Sequence, residues 1–154
     1  MSVQAAPLPP GSLLESYCVA GGYVDCFIAE VPRAVTLPQL IETFYTSHAF
    51  RPERWLIGVL LGKRADNRDV VRLAVGKTES FSAWSVEARR EDQILLCDYQ
   101  GSTRSWLMVR PVPGGTRLHF GSAVVKPGDP IFRALLGFHS FYSRCLLRGA
   151  LSKL

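Results

Sequence analysis

The chain carries three histidines, His48, His119 and His139, and none stands at metal-ligand spacing from an aspartate, glutamate or cysteine. A metal site is therefore not expected. No cofactor is expected either: a phosphate-cradling glycine loop and a dinucleotide fingerprint are missing, as is the Gly-x-Ser-x-Gly elbow of a serine nucleophile. Serine, histidine and aspartate are present, but no spacing ties them into a triad, and the catalytic residues stay unassigned. Three kinds of residue remain that can do chemistry. His139 sits at the flank of an apolar helical arc; facing a cavity it would act as a hydrogen-bond partner or a base near neutral pH, and at the wet edge of the helix it would do neither. Asp25 and Asp98 interrupt apolar stretches, where an acid is either buried for a purpose or turned to solvent on the outer face of a sheet. The rings of Trp84, Trp106, Phe138, Phe141 and Tyr142 offer apolar pocket walls, with core packing as the plainer account. Trp84, Trp106, Phe138, His139, Phe141 and Tyr142 form the candidate ligand-binding set.

The elements that must position them are legible. Asp129-Pro130 is an N-cap followed by proline at the first helical position. From there Ile131, Ala134, Leu135, Phe138, Phe141, Tyr142, Cys145 and Leu146 share one arc of a long C-terminal helix, with Arg133, Ser140, Arg144 and Arg148 opposite. Phe132, Leu136 and Leu147 fall outside that arc as a second apolar strip of the kind that marks an interface. Tyr23 to Val31 reads as a first strand closed by Pro32, and Leu13 to Val19 as a short strand or irregular segment. Thr36 caps a short helix running to about Ser47, and a second starts near Pro52 with Trp55, Leu56, Val59 and Leu60 on one face. Residues 65–69 read as a polar loop, and Val70 to Val75 as a brief strand or more helix. Then the period changes to two. Phe81 to Arg89, Gln93 to Tyr99, Thr103 to Val112 and Thr116 to Val125 form four consecutive strands, the last pair joined by Pro113-Gly114-Gly115. That order gives an α+β protein with helices gathered on one face of an antiparallel meander. Residues 1–12 form an extended N-terminal arm and residues 13–154 a single domain.

At 154 residues, 47% hydrophobic and 20% charged, the composition is that of an ordinary globular domain. The net charge of +5 is spread through the chain, with short clusters only at Lys63-Arg64, Arg68, Arg72 and Arg89-Arg90, so no specific nucleic-acid partner is expected. Residues 1–10 show no signal-peptide pattern, and the apolar run from Trp55 to Leu61 falls far short of the roughly 20 residues of a membrane span. Cys18, Cys26, Cys97 and Cys145 lack disulfide or metal spacing and are expected to be reduced, as in a cytoplasmic protein.

The order of strand, short helices, meander and long terminal helix resembles the helix-grip superfamily of START-domain lipid carriers, birch-pollen-allergen-like proteins and polyketide cyclase-like enzymes. Within it the chain is similar to a mostly bacterial domain family of unknown function, from about Tyr23 to Leu151. Three places carry the likeness: Phe44 to Leu61 (FYTSHAFRPERWLIGVLL), Phe81-Ser82-Ala83-Trp84 through Leu95-Leu96, and Gly137-Phe138-His139-Ser140 with Arg144 and Leu147. The resemblance implies a cavity between the terminal helix and the sheet, holding an apolar or amphipathic small molecule. A cyclase- or hydratase-type enzyme using the same cavity is the alternative, and a homodimeric interaction module without a ligand is the third reading.

Overall fold

The computed structural model describes residues 2–19, 22–47, 66–125 and 143–154. The helix expected near Pro52 and the opening of the terminal helix, with Phe138, His139, Phe141 and Tyr142, lie outside the described residues.

Within them the protein is α+β, built on a seven-stranded antiparallel sheet in the order β1-β2-β7-β6-β5-β4-β3. The strands are β1 Gln4–Ala5, β2 Tyr23–Val31, β3 Ser80–Phe81, β4 Trp84–Arg89, β5 Gln93–Asp98, β6 Thr103–Val112 and β7 Gly115–Val124. The expected meander is present, and Leu107 pairs with Phe120 across the hairpin turned by Pro113-Gly114, with Gly114 at φ +82° as a tight turn requires. The first long strand joins the last: Tyr23 to Val31 pair residue by residue with Val124 to Thr116. Both sheet edges are strands of two residues, which leaves little ladder open to unwanted pairing.

Two expected strands resolve differently. The run from Phe81 to Arg89 is not one strand: Ser82, at φ 54°, and Ala83 turn the chain so that Phe81 faces Trp84 in a hairpin. Leu13 to Val19 is not a strand but carries a short helix, α1 (Glu15–Val19), whose Tyr17 lies one turn beyond the buried Leu14 and packs with it. Helix α2 (Leu37–Tyr45) starts at a capping box in which Thr36 and Gln39 satisfy each other's backbone N–H groups. Helix α3 (Asn67–Ala74) settles Val70 to Ala74 as helix with Val75 as its C-cap, because Asp66 and Asp69, within the expected loop, form a second capping box. Its far end is closed from a distance. Arg89 of β4 donates to the carbonyls of Leu73 (2.6 Å) and Ala74 in its last turn, the former also accepting from the Gly76 N–H at 3.1 Å.

Residues 143–151 are helical. Leu146, Leu147, Ala150 and Leu151 are buried, Cys145 is half-buried, and Arg144 and Arg148 face water as expected. Leu147, placed by the sequence on a separate strip, is fully buried, so the buried stripe in this part of the helix is rotated toward Leu147 and away from Cys145.

The sheet has two covered faces. The inner one, with Phe27, Ala29, Val31, Ile94, Leu96, Leu107, Leu118 and Phe120, packs against α2, α3 and the C-terminal helix. The outer one, with Cys26, Leu95, Trp106, Met108 and Ala123, is covered by Leu14, Leu8, Leu13 and Tyr17 of the N-terminal segment. That segment is tied to the sheet at its start, where Gln4 and Ala5 pair with Ile28 and Phe27. Gly121 permits the outer layer: a Cβ there would stand 2.8 Å from Leu14 and 2.9 Å from the Trp106 ring. Cys18, Cys26, Cys97 and Cys145 are free thiols. Among the described residues no helix is long and apolar enough to cross a membrane, and no cluster of side chains suits a metal ion.

Candidate ligand site

Side chains alternate along a strand, so the partners of Phe27 on the inner face are Asp25 and Tyr23; those of Phe120 and Leu107 are Ser122 and Ser105. Register brings three of them level, because Asp25 pairs with Ser122, and Ser122 with Ser105. The result is a polar row across β2, β7 and β6 at one end of an otherwise apolar face. Asp25 Oδ1 accepts from the Ser122 backbone N–H at 2.9 Å and its hydroxyl at 2.6 Å, and Oδ2 lies 3.4 Å from the Tyr23 hydroxyl. At the other end the Ser105 and Tyr45 hydroxyls share a hydrogen bond of 3.1 Å. Tyr45 comes from the last turn of α2, where its ring is wedged between Phe44 and Phe81 at centroid distances of 5.1 and 5.5 Å. Tyr45, Ser105 and Ser122 are all buried, and Asp25 is half-buried.

Asp25 also lines an open cleft of about 370 Å³ along the edge of β2. The cleft exists because β1 stops early. The Ala6 N–H donates to the Cys26 carbonyl at 2.9 Å, and Pro7, next in line, has no N–H to continue the ladder. Ala6, Pro7, Leu8, Val24 and Phe27 give it apolar walls, and Arg144 stands on it from the C-terminal helix. The Arg144 guanidinium lies over the Phe27 ring, 5.5 Å from its centroid. Cys26 is in the wall, but burial, reinforced by the nearby Asp25 charge, pushes its thiol up to about 12. At neutral pH it is a protonated, unreactive thiol.

Of the six residues in the candidate ligand-binding set, two lie among those described, and they do not come together. Trp84 is half-buried on the inner side, its indole N–H without an acceptor among the described residues. Trp106 is a correction: it is fully buried on the outer face, donating to Gln93 Oε1 at 2.9 Å, so it cannot wall a space beneath the terminal helix. A one-residue difference in phase from Leu107 decides this. Phe138, His139, Phe141 and Tyr142 lie outside the described residues. Asp98 serves its turn, accepting from the Ser102 N–H at 2.8 Å. His119 projects from the outer face, 3% exposed, and burial together with the Arg110 and Arg117 charges lowers its pKa to about 4.

Sequence reasoning missed Tyr23, Tyr45, Ser105, Ser122 and Arg144 as site residues. Each serine sits at an inward phase of its strand, a signal visible in the alternation. Their convergence needs the β2-β7-β6 order, which joins residues nearly a hundred positions apart.

No protein-family model matches the chain. No curated protein matches it. Among solved structures it is similar to a structural-genomics protein from Rhodobacter sphaeroides, at 16% identity over 99% of each chain with a TM-score of 0.43. A likeness that weak decides neither fold family nor activity.

Proposed function

We propose that the protein is a helix-grip module that binds a small amphipathic molecule in the cleft along the β2 edge of its sheet, beside Arg144 of the C-terminal helix. The polar row of Asp25, Ser122, Ser105 and Tyr45 carries this reading. Polar side chains taken out of water cost free energy unless bonded, and a face that only packs gains nothing from placing them on three adjacent strands. Hydroxyls both donate and accept, so the row suits one polar group of a ligand. Phe27 and the apolar cleft walls suit its body, and the cleft volume of about 370 Å³ falls within the range of small-molecule sites. The packing of Leu146, Leu147, Ala150 and Leu151 into the inner-face core supports the helix-on-sheet arrangement.

Titration with N-phenyl-1-naphthylamine, a neutral probe that brightens in apolar surroundings, tests this. Saturable one-to-one binding is expected. Ala6→Trp should abolish it by filling the cleft, and Tyr45→Phe or Ser105→Ala should weaken it about threefold to tenfold, the worth of one hydrogen bond. Absence of saturable binding, or an Ala6→Trp variant that binds like the parent, overturns the reading.

A further inference from the structure

Building on the ligand site proposed above, we infer that the protein's ligand is an amphipathic carboxylic acid whose carboxylate is held by Arg144. Among the described residues two formal charges line the cleft, Asp25 and Arg144, and they differ in how fully they are engaged. Asp25 takes two hydrogen bonds from Ser122 and one from Tyr23, so its oxygens are turned to protein donors. Arg144 has no carboxylate partner among the described residues and is exposed, with its guanidinium over the face of Phe27. A guanidinium lying over an aromatic ring keeps its in-plane N–H fork free, and that fork matches a carboxylate's two oxygens.

The surroundings reinforce the choice. Apolar side chains on several sides of the cleft strengthen a charge pair relative to open water. A cationic ligand would meet Arg144 with like charge. A neutral one would leave the guanidinium unused. An acid satisfies it, while the Phe27, Val24, Pro7 and Leu8 side chains receive the hydrocarbon part.

The test compares two probes with the same body, 11-(dansylamino)undecanoic acid and its methyl ester, against the full chain, Arg144→Gln and Arg144→Lys. The acid is expected to bind the parent about tenfold more tightly than the ester, and to weaken as salt rises from low to about 0.5 M while the ester does not. Arg144→Gln should bring the acid to the level of the ester and leave the ester unchanged; Arg144→Lys should fall between. Equal affinity of acid and ester, unaffected by Arg144→Gln, overturns the acid assignment and leaves the ligand site standing. An equal loss of both probes in Arg144→Gln also overturns it, making Arg144 a wall rather than a charge. Binding of neither probe removes both readings together.

Discussion

The two faces of the sheet are held by different physics. The inner face carries a continuous apolar core, with Phe44 packed on Phe120 at a centroid distance of 4.7 Å and three helical segments closing over it. The outer face carries a small core around Trp106, and its cover is a segment of a dozen or so residues with one five-residue helix. So short a cover buries too little apolar surface to fix its own position, and polar clasps do that instead. Gln93, 3% exposed, accepts from the Leu13 N–H at 2.8 Å and from Trp106 Nε1 at 2.9 Å, and donates to the Gly11 carbonyl at 3.3 Å. Further along, Tyr17, Glu87 and Arg104 tie α1 to β4 and β6. Burial sets the inner layer, and directional bonds set the outer one.

The largest effect should come from the inner core. Phe120→Ala removes a ring that is 3% exposed and should cost about 3–5 kcal/mol in urea unfolding, with loss of structure throughout. A cost below about 1 kcal/mol would erase the distinction between the faces.

The second prediction sets pH against the outer layer. His119 is buried there beside Trp106, at a ring distance of 5.9 Å, and its Nδ1 has no partner among the described residues. The unfolded chain takes up a proton near pH 6.5, whereas the folded protein resists it until about 4. Stability should therefore fall as pH drops through that window, by about 3 kcal/mol in total. Urea melts of the parent and His119→Leu between pH 7 and 4 should diverge, the variant losing less. Parallel curves would show that His119 does not sense pH in the fold.

The third concerns the clasp. Gln93→Leu strands the buried indole N–H of Trp106 and the part-buried backbone N–H of Leu13 and should cost about 2 kcal/mol. Trp106 emission should shift to longer wavelength before the inner layer melts. A single transition coincident with far-UV circular dichroism would mean that the two faces unfold as one unit.

The comparison also explains what the sequence could disclose. Period-two alternation in Tyr23 to Val31 and Thr103 to Val112 gave strands with the observed bounds, because each local pattern is decided by which side is buried. Helix α2 was legible from Thr36 and the spacing of Leu37, Leu40, Ile41 and Phe44. The phase of Trp106 was not, since its strand carries apolar residues on both faces and only the outer cover distinguishes them. The break at Ser82 was hidden because serine seldom adopts a positive φ. The polar row was visible as single serines and one aspartate, but its assembly depends on β2 crossing to β7, a pairing that no local pattern encodes.

The smallest expected effect separates the clasp from the latch. The Tyr17 hydroxyl donates to Glu87 and accepts from Arg104 Nε at 2.8 Å, while Arg104 and Glu87 also pair directly at 2.5 Å. Burial, helped by the bond to Glu87, raises the Tyr17 pKa, so the phenol remains a donor well above neutral pH. Tyr17→Phe removes the hydroxyl and leaves the ion pair in place, with Arg104 12% and Glu87 31% exposed. No charge is stranded, so the cost should be about 1 kcal/mol, the net worth of an ordinary hydrogen bond. Amide exchange should quicken in α1 and stay unchanged in β6 and β7. If Tyr17→Phe instead costs more than Gln93→Leu, the latch rather than the clasp holds the outer cover, and the N-terminal segment is anchored by its helix instead of by the backbone around Gly11 and Leu13.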